Sequence, residues 1–210
     1  MSITFSSLHN GFPINTNLQK GLGCLTAILD NHLGKLGYMI AKHSKVMQVR
    51  FDLHYPKDGS VLPSPQHIYD FNYNFKRKLQ REKISGGHKV DPQIIWVEEQ
   101  HTSPHPHYHY LLLVNGNAKR DYHAIVREAL RIWKQTLGTE NSGVVNFCDD
   151  KEQNGLMVER GSPYFQLQLG QCTYQGSYIA KISSKAHRRK GSWLSGGTHL
   201  PALAPSLDLF

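Results

Sequence analysis

The stretch His107-Tyr108-His109-Tyr110-Leu111-Leu112-Leu113-Val114-Asn115 constrains the fold more than any other part of this 210-residue chain. Aromatic and branched apolar residues run on to Asn115-Gly116-Asn117, a turn signal, and so predict a strand. Side chains alternate across a strand, which puts His107, His109, Leu111 and Leu113 on one face. Tyr108, Tyr110, Leu112 and Val114 fall on the other. Two imidazoles then stand side by side on a pleated surface, with room between them for one divalent ion. His105 and His107 have the same spacing, but Pro106 lies between them and cannot donate to a ladder. The strand therefore starts after it, and His107 and His109 are the pair.

The rest of the chain supplies elements to pack around that strand. Val49, Phe51 and Leu53 alternate with Gln48, Arg50, Asp52 and His54, which predicts a half-buried strand over 46–55. Its polar face reads as solvated or paired, with Arg50 more at home there than on DNA. Ser64-Pro65 opens a helix whose Ile68, Phe71, Phe75 and Leu79 share a face. Its cations Lys76, Arg77, Lys78, Arg81 and Lys83 suit the negative end of the helix dipole. Residues 93–100 read as a strand joined to the histidine strand by a hairpin-length loop. That hairpin brings a carboxylate to the imidazoles. Glu98 and Glu99 point to opposite faces, and parity alone leaves both as candidates; His101 and His105 in the loop are spare donors.

Residues 121–137 carry a broad apolar stripe ended by Gly138, a core helix. Short strands are expected near 144–147 and 156–159, with a hairpin-type turn at Gln153-Asn154-Gly155. Leucines at helical steps predict a helix over 16–42, weakened by Gly21, Gly23 and Gly34. Near the end, Tyr178 and Lys181 share a helical face, with Tyr174 a turn earlier and Lys185, Arg188, Arg189 and Lys190 following. The expected organisation is a helical N-terminal extension at 1–44, a main domain at 45–190 and a poorly ordered tail at 191–210. The fold class is α/β in the α+β sense: a central antiparallel sheet with helices packed on it.

Composition narrows the function classes. Net charge is +8 with neutral histidines and the pI is about 9.4, a balance that suits nucleic acid. No apolar run approaches the roughly 20 residues that span a bilayer. The first residues lack a basic region followed by an apolar stretch, so no secretory signal is expected. Cys24, Cys148 and Cys172 are widely spaced, which argues against a disulfide framework and for a reducing cytoplasm.

The His107-Tyr108-His109 strand resembles the histidine-hydrophobe-histidine motif of the HUH endonucleases. Trp96 to Gln100, Pro104 to Asn117 and Ser177-Tyr178-Ile179-Ala180-Lys181 together resemble inovirus-type replication proteins encoded in bacterial prophages, over residues 46–186. The resemblance implies a rolling-circle replication initiator. Glu99, His107 and His109 would hold Mg²⁺ or Mn²⁺, since Glu99 precedes His107 by about the separation seen in relatives. Tyr178 would attack a phosphodiester of single-stranded DNA at a replication origin and keep the 5′ phosphate, with Lys181 beside it. Gly176 is a poor helix residue and leaves Tyr174 before the helix, a possible second tyrosine for strand transfer. Lys185, Arg188, Arg189 and Lys190 would meet the DNA backbone. No nucleotide-binding Gly-Lys-Ser/Thr loop is present, so unwinding falls to a host helicase in trans, in the cytoplasm of a bacterial host, with no membrane partner. Two other readings stand beside this one. The same fold could be a non-catalytic DNA-binding protein, either a regulator or a decayed prophage remnant. A zinc-stabilised RNA-binding domain is a weaker reading, because no Cys-x-x-Cys supports it.

Overall fold

A computed structural model describes residues 2–82, 85–100, 103–147, 155–182 and 194–200. Strands β1 (Ile3–Thr4), β2 (Leu8–His9), β3 (Phe12–Pro13) and β4 (Cys24–Leu25) precede helix α1 (Thr26–Lys42). Strand β5 (Lys45–Leu53) and helix α2 (Pro65–Arg81) follow, then β6 (Gln93–Glu99), β7 (His107–Asn115) and helix α3 (Tyr122–Leu137). Strands β8 (Val145–Phe147) and β9 (Leu156–Glu159) lead to helix α4 (Phe165–Gly176), a 3₁₀ turn at Ser177–Ala180, and β10 (Ser195–Gly197).

The main sheet has six strands, all antiparallel, ordered β10-β6-β7-β5-β8, with β9 also bonded to β5. The histidine strand β7 is central, as its apolar character on both faces requires. Its Tyr108, Tyr110, Leu112 and Val114 pack under α2 and α3, with Phe51, Phe71, Phe75 and Trp133. Leu111 and Leu113 face the other way, toward α1, α4 and the 3₁₀ turn. Local signals set the helix ends. Ser64 accepts from the Gln66 amide at the start of α2, and Asp121 accepts from the Ala124 amide at the start of α3. Gly138 ends α3 at φ 63°, a conformation glycine adopts without penalty.

Three expectations change. The helix expected over 16–42 begins only at Thr26, because β4 continues to Leu25 in a ladder with β1. Gly23 lies so close to β1 that a Cβ would sit 2.7 Å from the Ile3 side chain. Strands β8 and β9 do not form a hairpin with each other. Both lie against β5, β8 along Phe51–Leu53 and β9 along Lys45–Gln48, as one interrupted edge strand. Part of the tail expected to be poorly ordered, Ser195–Gly197, is the edge strand β10 on β6. Of the two readings of the polar face of β5, solvated or paired, the second holds: Gln48, Arg50 and Asp52 are buried, with Gln48 bonded to His32 and the Cys172 carbonyl and Asp52 to His109. No helix among the described residues is long and apolar enough to cross a membrane.

Candidate metal centre

The β6–β7 ladder sets the centre. Its register pairs Glu99 with His107 and Val97 with His109. Directly paired residues share a face of the sheet, so Glu99, His107 and His109 project together. Glu98 pairs with Tyr108 and faces the α2 side, away from the histidines. One ligand atom from each of Glu99, His107 and His109 lies within 4.8 Å of the others. Two imidazoles and a carboxylate at this spacing suit a divalent ion.

The neighbouring strand β5 orients this group. His109 Nδ1 is 2.7 Å from Asp52 Oδ1, and its Nε2 is 2.6 Å from Glu99 Oε2. Burial works to lower the His109 pKa, but hydrogen bonds and charge from Asp52 and Glu99 outweigh it and raise it. Burial likewise works to raise the Asp52 pKa, and the His109 bond and the Arg50 charge more than reverse this. An imidazole between two carboxylates donates from both nitrogens. An ion bound at Nε2 would take the place of that proton, with Asp52 still fixing the ring through Nδ1. His107 differs. Burial first, then the charge of His109, lower its pKa to about 4, which keeps its ring neutral and able to ligate at pH 7. The donor set therefore fits a divalent cation.

The tyrosine turn closes over the same face. Tyr178 stands edge-on to His109, with ring centroids 5.4 Å apart. The Arg50 guanidinium lies 3.8 Å from the Tyr178 ring centroid and the Lys181 ammonium 4.5 Å from it. Arg50 also lies 3.7 Å from Asp52. Two cations and His109 of the triad thus lie against one phenol ring.

Tyr178 and Lys181 are not on a continuous helix as expected. Helix α4 ends at Gly176, Tyr178 lies in the 3₁₀ turn, and Lys181 follows it. Tyr174, expected before the helix, is inside α4 and 49% exposed. Gly176 answers to packing: a Cβ there would fall 2.1 Å from the His32 ring. His105 turns toward Tyr55 rather than into the triad. His101, Lys185, Arg188, Arg189 and Lys190 lie outside the described residues.

Sequence reasoning missed three contributors. Asp52 and Arg50 were placed on a polar strand face and given no site role. A charged pair in a strand flanked by two others was the available signal. The N-terminal segment was given no job, yet it holds the tyrosine turn. The Asn15 amide donates to Ser177 Oγ at 2.7 Å, the Ile182 amide donates to the Gly23 carbonyl, and Cys24 bridges to Lys181.

A family model described as the YagK/YfjJ C-terminal domain matches residues 9–192. No curated protein and no solved structure gives a match. With the match covering most of its length, the chain belongs to the YagK/YfjJ C-terminal domain family, a prophage-associated family.

Proposed function

We propose that the protein nicks and rejoins single-stranded DNA as an HUH-type endonuclease, and so starts rolling-circle replication of a phage or plasmid-like element. The observation that carries the reading is the position of Tyr178 against His109 of the Glu99–His107–His109 group, with Arg50 and Lys181 on the tyrosine ring. Mg²⁺ or Mn²⁺ on that group would neutralise charge developing on the scissile phosphate.

The chain's own residues do the rest. A phenol has an unperturbed pKa near 10, so it is a weak nucleophile at neutral pH. The Arg50 and Lys181 cations favour the phenolate. Tyr178 Oη bonds to phosphorus, the bond from phosphorus to the 3′ oxygen breaks, and that oxygen leaves as a 3′ hydroxyl after taking a proton. The phenolic proton passes to solvent. The 5′ phosphate stays on the tyrosine, and the reverse reaction rejoins the strand. Lys185, Arg188, Arg189 and Lys190 would grip the DNA backbone, and neutralising all four should flatten the salt dependence of DNA affinity. A host helicase acting in trans in the bacterial cytoplasm would open the duplex.

The test is incubation of the full chain with labelled single-stranded DNA and Mn²⁺, followed by denaturing electrophoresis. A covalent adduct that disappears in Tyr178→Phe and persists in Tyr174→Phe is the expected result. DNA binding without any adduct would favour the non-catalytic reading. An adduct retained in Tyr178→Phe would move the nucleophile, and peptide mapping would locate it.

A further inference from the structure

Helix α2 turns two tyrosines outward that the core does not use. Tyr69 is 40% exposed and Tyr73 is 61% exposed. They lie a helical turn apart beside an open groove of about 570 Å³ between α2 and the edge strand β10. The floor is the Trp96 indole and the backbone of Gly196 and Gly197. A Cβ on Gly196 would lie 2.6 Å from the Trp96 ring, so glycine is what lets this strand lie so close.

The groove has aromatic faces and a positive end. Tyr69 stands edge-on to Trp96 with centroids 6.0 Å apart. The Arg77 guanidinium lies 4.9 Å from the Tyr73 ring centroid, and its Nη1 donates to the Tyr73 hydroxyl at 2.8 Å. Lys76 and His199 line the wall. Lys76 is the cation of the groove wall, and Arg77 stands over the Tyr73 ring beside it. Trp96 and Glu98 occupy the sheet face opposite Glu99, so this groove is separate from the metal centre. Exposed aromatic rings alternating with cations are what a single strand of nucleic acid requires: bases stack on the rings and phosphates meet the cations. A lipid or an apolar peptide would leave those cations desolvated and unmatched.

We propose that this groove binds a segment of single-stranded DNA, with bases stacked on Tyr69 and Tyr73 and the backbone running past Lys76 and Arg77. The choice of DNA over RNA rests on the proposed nuclease function; the groove's chemistry does not. It would hold a part of the strand away from the cut site.

The test measures fluorescence anisotropy of labelled (dT)₂₀ and (rU)₂₀ with the full chain in EDTA, where no metal-dependent cleavage occurs. Replacing both tyrosines by alanine should weaken (dT)₂₀ binding by roughly 10- to 100-fold, while replacing both by phenylalanine should largely preserve it. Lys76→Ala should lower the slope of log affinity against log salt by about 0.7, the single-strand value for one phosphate. Circular dichroism checks that each variant folds, and both tyrosines are surface residues. Unchanged (dT)₂₀ affinity in the double alanine variant, or no (dT)₂₀ binding by the unaltered chain, overturns the proposal. Tighter binding of (rU)₂₀ than of (dT)₂₀ overturns the assignment to DNA. Tyrosine-dependent (dT)₂₀ binding in a protein that forms no adduct with Mn²⁺ supports the groove and removes the nuclease reading. Adduct formation with tyrosine-independent binding does the reverse.

Discussion

At the scale of single residues, Asp52 decides what His109 can do. It holds Nδ1 and so leaves Nε2 directed at Glu99 and any ion there. Loss of such an orienting carboxylate typically costs 10- to 100-fold in metal affinity. Asp52→Asn is expected to weaken Mn²⁺ binding by about that factor in calorimetry. Glu99→Ala should weaken it further, and Glu98→Ala should leave it unchanged, because Glu98 faces the opposite core. A second buried histidine governs stability. His32 bonds to Gln48, and its burial lowers its pKa to about 4. The unfolded chain takes up the His32 proton near pH 6.5 while the folded chain resists it until about 4. Stability should therefore fall as pH drops through this window, by an amount on the order of 3 kcal/mol, and level off below it. Urea denaturation from pH 7 to pH 4 reads this out, with His32→Gln as the comparison that should make the profile shallower but not flat, because His107 is held neutral by burial over the same window.

At the scale of elements, the junction between α4 and the 3₁₀ turn carries the site. Gly176 lets the His32 ring approach where any side chain would collide. The His32 ring is fixed by Gln48, which also donates to the Cys172 carbonyl, so it cannot swing away without losing buried bonds. Gly176→Ala is expected to destabilise the fold by about 3 kcal/mol, as overpacking in a closed core does, despite alanine's better helix propensity. A denaturation midpoint equal to that of the unaltered chain would show that the helix shifts to absorb the methyl group. The β6–β7 hairpin is the other element that matters. Its alternation and loop length brought a carboxylate to the histidines and left Glu98 and Glu99 both open; the resemblance pointed to Glu99, and the ladder register that pairs Glu99 with His107 decides it.

At the scale of the whole molecule, the sheet is covered on both faces, and the site sits where the second cover meets the central strands. The N-terminal segment belongs to that cover. Through Asn15, Gly23 and Cys24 it bonds to the residues on either side of Tyr178. Removing residues 1–23 should free the turn. Hydrogen exchange at Lys181 and Ile182 should speed up, while amides of β7 stay protected at the sheet's centre. Equal exchange in the shortened chain would mean the turn is held by α1 and α4 alone.

The sequence by itself determined what depends on near neighbours. Alternation over 107–114 assigned every side chain of β7 to its face, because strand parity is local. Ser64-Pro65, Asp121 and Gly138 marked helix ends, because capping bonds reach only a few residues. Tertiary structure decided what depends on chain segments far apart. Gln48, Arg50 and Asp52 read as solvated or paired, and only the tertiary structure decides that they are buried and paired, with partners from other elements. The turn signal at Gln153-Asn154-Gly155 pointed to pairing between β8 and β9, yet both pair with β5. Tyr178 and Lys181 share a helical face in the sequence, but the α-helix gives way to a 3₁₀ turn after Gly176, where the chain packs on His32, a residue far away in the sequence. Periodicity cannot encode such contacts, because each depends on which surfaces meet when distant segments compete to bury apolar area and satisfy buried polar groups.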